Sequence, residues 1–130
     1  MDECVDFATL TGAAVVALGE RYTALFTDSD SFANGFLKHA KNAGEDLWRM
    51  PLESRYKEML KAEWAEIKNV GGRAAGSITA ALFLSEFVDG PTWAHFDIAG
   101  PTFVSSKTDH FRKGATGAMV RTVLNWLESK

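Results

Sequence analysis

A single cysteine, Cys4, stands in a chain of 130 residues, which excludes an internal disulfide and a zinc site built from cysteines. Cys4 itself reads as a small, partly buried hydrophobe near the start of a strand. No apolar run approaches the roughly 18 residues of a membrane span. The longest, Ile78 to Leu84, is interrupted by Thr79 and reads as a buried helix. A secretory leader needs a basic start, whereas Asp2, Glu3 and Asp6 are acidic, so the expected address is cytoplasmic. Positive charge is not in excess either. The formal net charge of −3 and the isoelectric point near 5.6 disfavour nucleic acid and anionic membrane surfaces as partners. Hydrophobic residues at 46% against 24% charged exclude the disordered class. With no internal repeat, low-complexity segment or linker, the sequence predicts one globular domain, 1–130.

What is present is organised around Phe7 to Gly19. Val5 to Leu10 is a short run of β-branched and aromatic residues, the composition of a central strand buried on both faces. It breaks at Thr9-Leu10-Thr11-Gly12, and a second apolar run, Val15 to Leu18, stops at Gly19. A buried strand ending in small and hydroxyl-bearing residues is where α/β proteins place ligands, because glycine admits a substrate to the backbone and threonine can bond it. Opening on such a strand, the chain reads as cut from something longer.

Further along, Glu20 to Phe26 predicts a turn and a short extended piece. Asp28 to Ser31 offers caps for a helix with Phe32, Phe36, Leu37 and Ala40 on one face, ending at Gly44. Leu47, Trp48 and Met50 suit a short strand that Pro51 confines to an edge or an end. Ser54 is expected to cap an amphipathic helix through Tyr56, Met59, Leu60 and Trp64. The glycine cluster Gly71 to Gly76 precedes the most apolar helix, Ile78 to Val88. Trp93 to Gly100 reads as a second core strand, and Pro101 to Gly114 as a long loop. A last helix carries Met119, Val120, Val123, Leu124 and Leu127 as its apolar stripe. Alternating strand and helix signals predict an α/β fold.

The chemistry-bearing residues are sparse. His39, His95 and His110 lie far apart, without the spacing of a metal site. His95 and Asp97 share a strand face and suit either a polar pair at a strand end or an orienting role near a substrate. Gly71 to Gly76 with Arg73 resembles a phosphate cradle but matches no nucleotide fingerprint, and a tight turn for close helix packing accounts for it as well. No Gly-x-Ser-x-Gly elbow is present. These patterns alone give a small-molecule crevice at the ends of Val5–Leu10 and Trp93–Gly100, with no visible reaction.

Four segments in order carry a resemblance: Asp6-Phe-Ala-Thr-Leu-Thr-Gly-Ala13, Lys68-Asn-Val-Gly-Gly-Arg-Ala-Ala-Gly76 with the helix after it, Trp93-Ala-His-Phe-Asp-Ile-Ala-Gly100, and Lys113-Gly-Ala-Thr-Gly117. Together they resemble the C-terminal part of the catalytic domain of the leucyl (cytosol) aminopeptidase family. The resemblance implies a mixed sheet with helices packed on it, and membership of a cytoplasmic, hexamer-forming family. Its members use two divalent metal ions, zinc or manganese, to hydrolyse N-terminal apolar residues from peptides. It assigns substrate contacts to Thr9, Leu10, Thr11, Gly12 and Ala99, and to Thr102, where some members carry a larger apolar residue. The family's metal ligands and catalytic arginine lie on a stretch upstream of Val5 that this sequence does not contain. Asp2, Glu3 and Asp6 do not reproduce it, so no metal or catalytic residue is carried over. The chain alone is therefore expected to be inactive and without metal. The alternative is a non-catalytic oligomerising or binding module derived from the same family.

Overall fold

The computed structural model describes residues 2–130. Eleven short elements follow one another: β1 (Glu3–Ala8), α1 (Gly12–Leu18), β2 (Thr23–Phe26), α2 (Asp30–Ala43), β3 (Leu47–Arg49), a 3-10 helix (Ser54–Leu60), α3 (Gly76–Ser85), β4 (Thr92–Asp97), β5 (Phe103–Val104), β6 (Gly114–Ala115) and α4 (Val120–Leu127). Four strands form a mixed sheet in the order β1-β4-β2-β3. β1 runs parallel to β4, with Glu3 opposite Thr92 and Ala8 opposite Asp97. β2 runs antiparallel to β4 and parallel to β3. β5 and β6 form a separate two-residue ladder inside the long loop.

The period-2 alternation of β4 sorts its side chains between two faces. Ala94 and Phe96 join Leu25, Phe32, Ala33, Phe36, Ala40, Leu47 and Met119 in one core, under α2 and α4, with Val5, Phe7 and Trp126 packed against it. Its aromatic rings interlock, Phe7 stacking on Phe96 at 4.6 Å between centroids and Phe36 meeting Phe96 at 4.9 Å and Trp126 at 5.0 Å. The other core, under α1 and α3, is built from Ala14, Ala24, Phe26 and Ala81. Small residues let these helices come close: a Cβ on Gly76 would sit 3.0 Å from that of Ala13. The glycine cluster is thus a packing turn, and α3 starts from Ala75 in the left-handed conformation with no side-chain cap. α2 is capped by Ser29, which accepts from the Phe32 amide, and closed by Gly44, as its sequence pattern requires.

Three expectations need correction. Among the described residues β1 lies at a sheet edge and all six of its residues are only half-buried, with β4 and β2 in the middle. The amphipathic helix expected through Trp64 is a 3-10 helix that stops at Leu60 and begins after Glu53, whose carboxylate accepts from the Arg55 amide. Trp64 lies beyond it, 96% exposed. On α4 the buried side is Met119 and Thr122, with Val123 and Trp126 half-buried, while Val120, Leu124 and Leu127 face outward. Glu45 decides that rotation: its carboxylate accepts from the amides of Met119 and Thr122 and from the Thr122 hydroxyl, at 2.7–2.9 Å.

Candidate functional site

Because β1 and β4 are parallel neighbours, both end on the same side of the sheet. The segments leaving them, Thr9–Gly12 and Ile98–Thr102, therefore emerge side by side, and the Ile98 amide donates to the Ala8 carbonyl at 2.9 Å. Asp97 joins them. Its buried carboxylate accepts from the amides of Leu10 (3.2 Å), Thr11 (3.4 Å) and Ala99 (3.1 Å), and from the Thr11 hydroxyl at 2.6 Å. The Thr11 hydroxyl oxygen in turn accepts from the Ala14 amide at 3.0 Å, capping α1. One carboxylate so fixes both loops and, through Thr11, the start of the helix behind them.

All six residues assigned to substrate contact fall in these two segments. Thr9, Leu10 and Gly12 are exposed; Thr11, Ala99 and Thr102 are half-buried. Gly100 closes the second segment against the backbone of Gly19, with no room for a Cβ. Thr102 is held through its own amide, which donates to Ile98, and its carbonyl, which accepts from Thr116. Leu10 and Thr11 also line a cavity of about 370 Å³ that continues past Ala13, Val70, Gly76 and Thr79, whereas Ala99 and Thr102 stand outside it. That volume lies within the range of small-molecule pockets.

His95 and Asp97 share a face yet do not bond each other. His95 is fully buried; its Nδ1 lies 2.6 Å from Asp6 Oδ1, and the other oxygen of Asp6 accepts from the Trp93 indole at 2.7 Å. Phe26 and Trp93 stack on its ring, with centroids 5.9 and 6.2 Å away. This cluster is architecture that locks β1 to β4. His39 pairs with Asn125 on the opposite side, and His110 is exposed on the long loop. Among the described residues no group of three or more His, Cys, Asp or Glu side chains is placed to hold a metal ion. The described residues alone do not make up a two-metal centre.

The joint at Asp97 went unread in the sequence, since its partners Leu10 and Thr11 lie 87 and 86 positions away. The visible signal was an aspartate ending a core strand just before Ile-Ala-Gly.

This mixed sheet with its helices is matched in a solved leucine aminopeptidase. A mutant of the tomato leucine aminopeptidase superposes with a TM-score of 0.94 at 41% identity, over 100% of this chain and 25% of that one. The bottromycin maturation enzyme BotP, solved in complex with Mn, gives 0.94 at 41% identity over 98% of this chain and 29% of its own. The family model for the catalytic domain of cytosol aminopeptidases matches residues 1–124. Probable cytosol aminopeptidases of Synechococcus elongatus and a Cyanothece species are 52% and 49% identical across 99% and 98% of the chain. The chain belongs to the cytosol aminopeptidase family. It spans about a quarter of the length of the curated relatives it matches, 26% in both cases.

Proposed function

We propose that this chain forms the substrate-facing wall of a cytosol aminopeptidase site that releases apolar N-terminal residues from peptides. The observation that carries this reading is the Asp97 joint, which sets Thr9–Gly12 beside Ala99 at the ends of two parallel strands. In this arrangement the backbone groups of Thr9–Gly12 that Asp97 does not engage bond the peptide, while the side chains of Thr9, Ala99 and Thr102 border the first residue's side chain. Full burial of a leucine-sized group there is worth about 1.5–3 kcal/mol. We assign the chain to one unit, the C-terminal portion of the catalytic domain. The divalent ions of the complete enzyme, zinc or manganese, have no ligand set among the described residues, so the chain alone is inactive in this reading.

A cytoplasmic location accords with the relatives' printed names, and no helix of the described chain is long and apolar enough to cross a membrane. A homo-oligomer is supported by the outward row Val120, Leu124 and Leu127, each more than half exposed. The same row favours the second reading, an oligomerising module without catalysis.

Two measurements separate the readings. The purified 130-residue chain should neither bind added zinc or manganese stoichiometrically nor hydrolyse leucine anilide. Substituted for the matching quarter of the Synechococcus elongatus relative, it should support leucine-anilide turnover. A soluble, folded graft without turnover overturns the pocket reading and leaves the oligomerising one. Turnover by the chain alone overturns the claim that it lacks the catalytic half.

A further inference from the structure

We infer that Asp97 is the positioning residue of the crevice: it sets the separation of the Thr9–Gly12 and Ala99 walls, and with it the selectivity for the N-terminal side chain. The inference rests on the aminopeptidase reading above and deepens it.

Three observations carry it. The carboxylate is buried, yet its four bonds all go to the two wall segments, three to their backbone amides and one to the Thr11 hydroxyl. The bonds divide by oxygen: Oδ1 takes the amides of Leu10, Thr11 and Ala99, and Oδ2 takes the hydroxyl. Bonds to an ionised acceptor are roughly twice as strong as neutral ones, so a carboxylate holds these loops in a way a neutral amide does not. Finally, Thr11 relays the restraint to the first turn of α1 through the Ala14 amide. Among the described residues no other side chain hydrogen-bonds both walls. They meet through Asp97 and the single Ile98–Ala8 backbone bond. A shift of either wall by a fraction of an ångström changes how a side chain fills the space between them.

Asp97→Asn keeps the shape and the Oδ1 acceptor but turns a donor toward the Thr11 hydroxyl. Thr11→Val removes that hydroxyl at constant shape, and Thr11→Ser restores it. In the Synechococcus elongatus graft, Asp97→Asn and Thr11→Val should each lower the leucine-to-alanine ratio of kcat/KM about tenfold, mostly through KM, and Thr11→Ser should recover most of what Thr11→Val loses. In the 130-residue chain, Asp97→Asn should speed amide hydrogen exchange at Leu10, Thr11 and Ala99 about tenfold while Ala24 to Phe26 stay protected. Unchanged selectivity with a lowered melting temperature would make Asp97 a purely structural residue and overturn the inference. So would uniform acceleration of exchange throughout the sheet. An inactive parent graft counts against the aminopeptidase reading alone, and the exchange pattern still decides the role of Asp97.

Discussion

The two faces of the sheet are made from the same strands but solve different problems. Toward α2 and α4, Val5, Phe7, Leu25, Ala94 and Phe96 meet Phe32, Phe36 and Trp126 in a packing of rings without a polar atom from the strands. Toward α1 and α3, the alternate residues Asp6, Trp93, His95 and Asp97 are hydrogen-bonded among themselves and to the loops, beside a smaller apolar cluster of Ala14, Ala24, Phe26 and Ala81 with Leu18 and Ile78. The first face stores stability in apolar area, which is non-directional and tolerant of where neighbouring loops lie. The second stores it in directed bonds, which fix positions at modest net gain. The crevice belongs to the second face because the loops that form it are anchored there.

That contrast can be broken by substitution. Phe36→Ala, at a ring touching Phe32, Phe96 and Trp126, should cost about 3–5 kcal/mol in urea unfolding. Gly100→Ala forces a Cβ onto the Gly19 carbonyl oxygen, a backbone atom that cannot rotate away, and should cost about 1–3 kcal/mol while displacing the Ala99 wall. A larger loss for Gly100→Ala than for Phe36→Ala would reverse the proposed division between the faces. The smallest effect belongs to a surface pair remote from both. The Arg55 guanidinium and amide hold the Glu53 carboxyl down to about 2 from its ordinary 4.5. A depressed carboxyl contributes stability above its unfolded value, and that contribution fades as pH falls from about 4.5 through about 2. The pair is solvent-screened, so Glu53→Gln should leave the melting temperature at pH 7 nearly unchanged, and any difference from the parent should vanish below about pH 2.

Much of the first face was legible in the sequence. The i, i+4, i+8 spacing of Phe32, Phe36 and Ala40 gave α2 with its caps, and the alternation Trp-Ala-His-Phe-Asp gave β4. The crevice was legible as composition, small and hydroxyl-bearing residues where two strands end. What was not legible depended on distant partners. β1 read as central because an apolar run says that a strand is buried, not which neighbours bury it. The stripe on α4 came out rotated because Glu45, some 75 positions earlier, caps the helix and turns Thr122 inward. Trp64 read by its spacing as the end of an amphipathic helix, yet the 3-10 helix stops at Leu60 and leaves it exposed. Asp97 meets the nearby Ala99 amide, but nothing around it in the chain points to Leu10 and Thr11, 87 and 86 positions away.

The parallel pairing of β1 with β4 has a consequence in time. Asp6 and His95, bonded in the folded chain, are 89 residues apart. At roughly 5–20 residues per second, a ribosome exposes β1 for several seconds before its partner strand exists. Parallel pairing across so long a loop is also slow once both strands are present. For that interval Val5 and Phe7 wait without β4 beside them, and strands lacking a partner are where nascent chains aggregate.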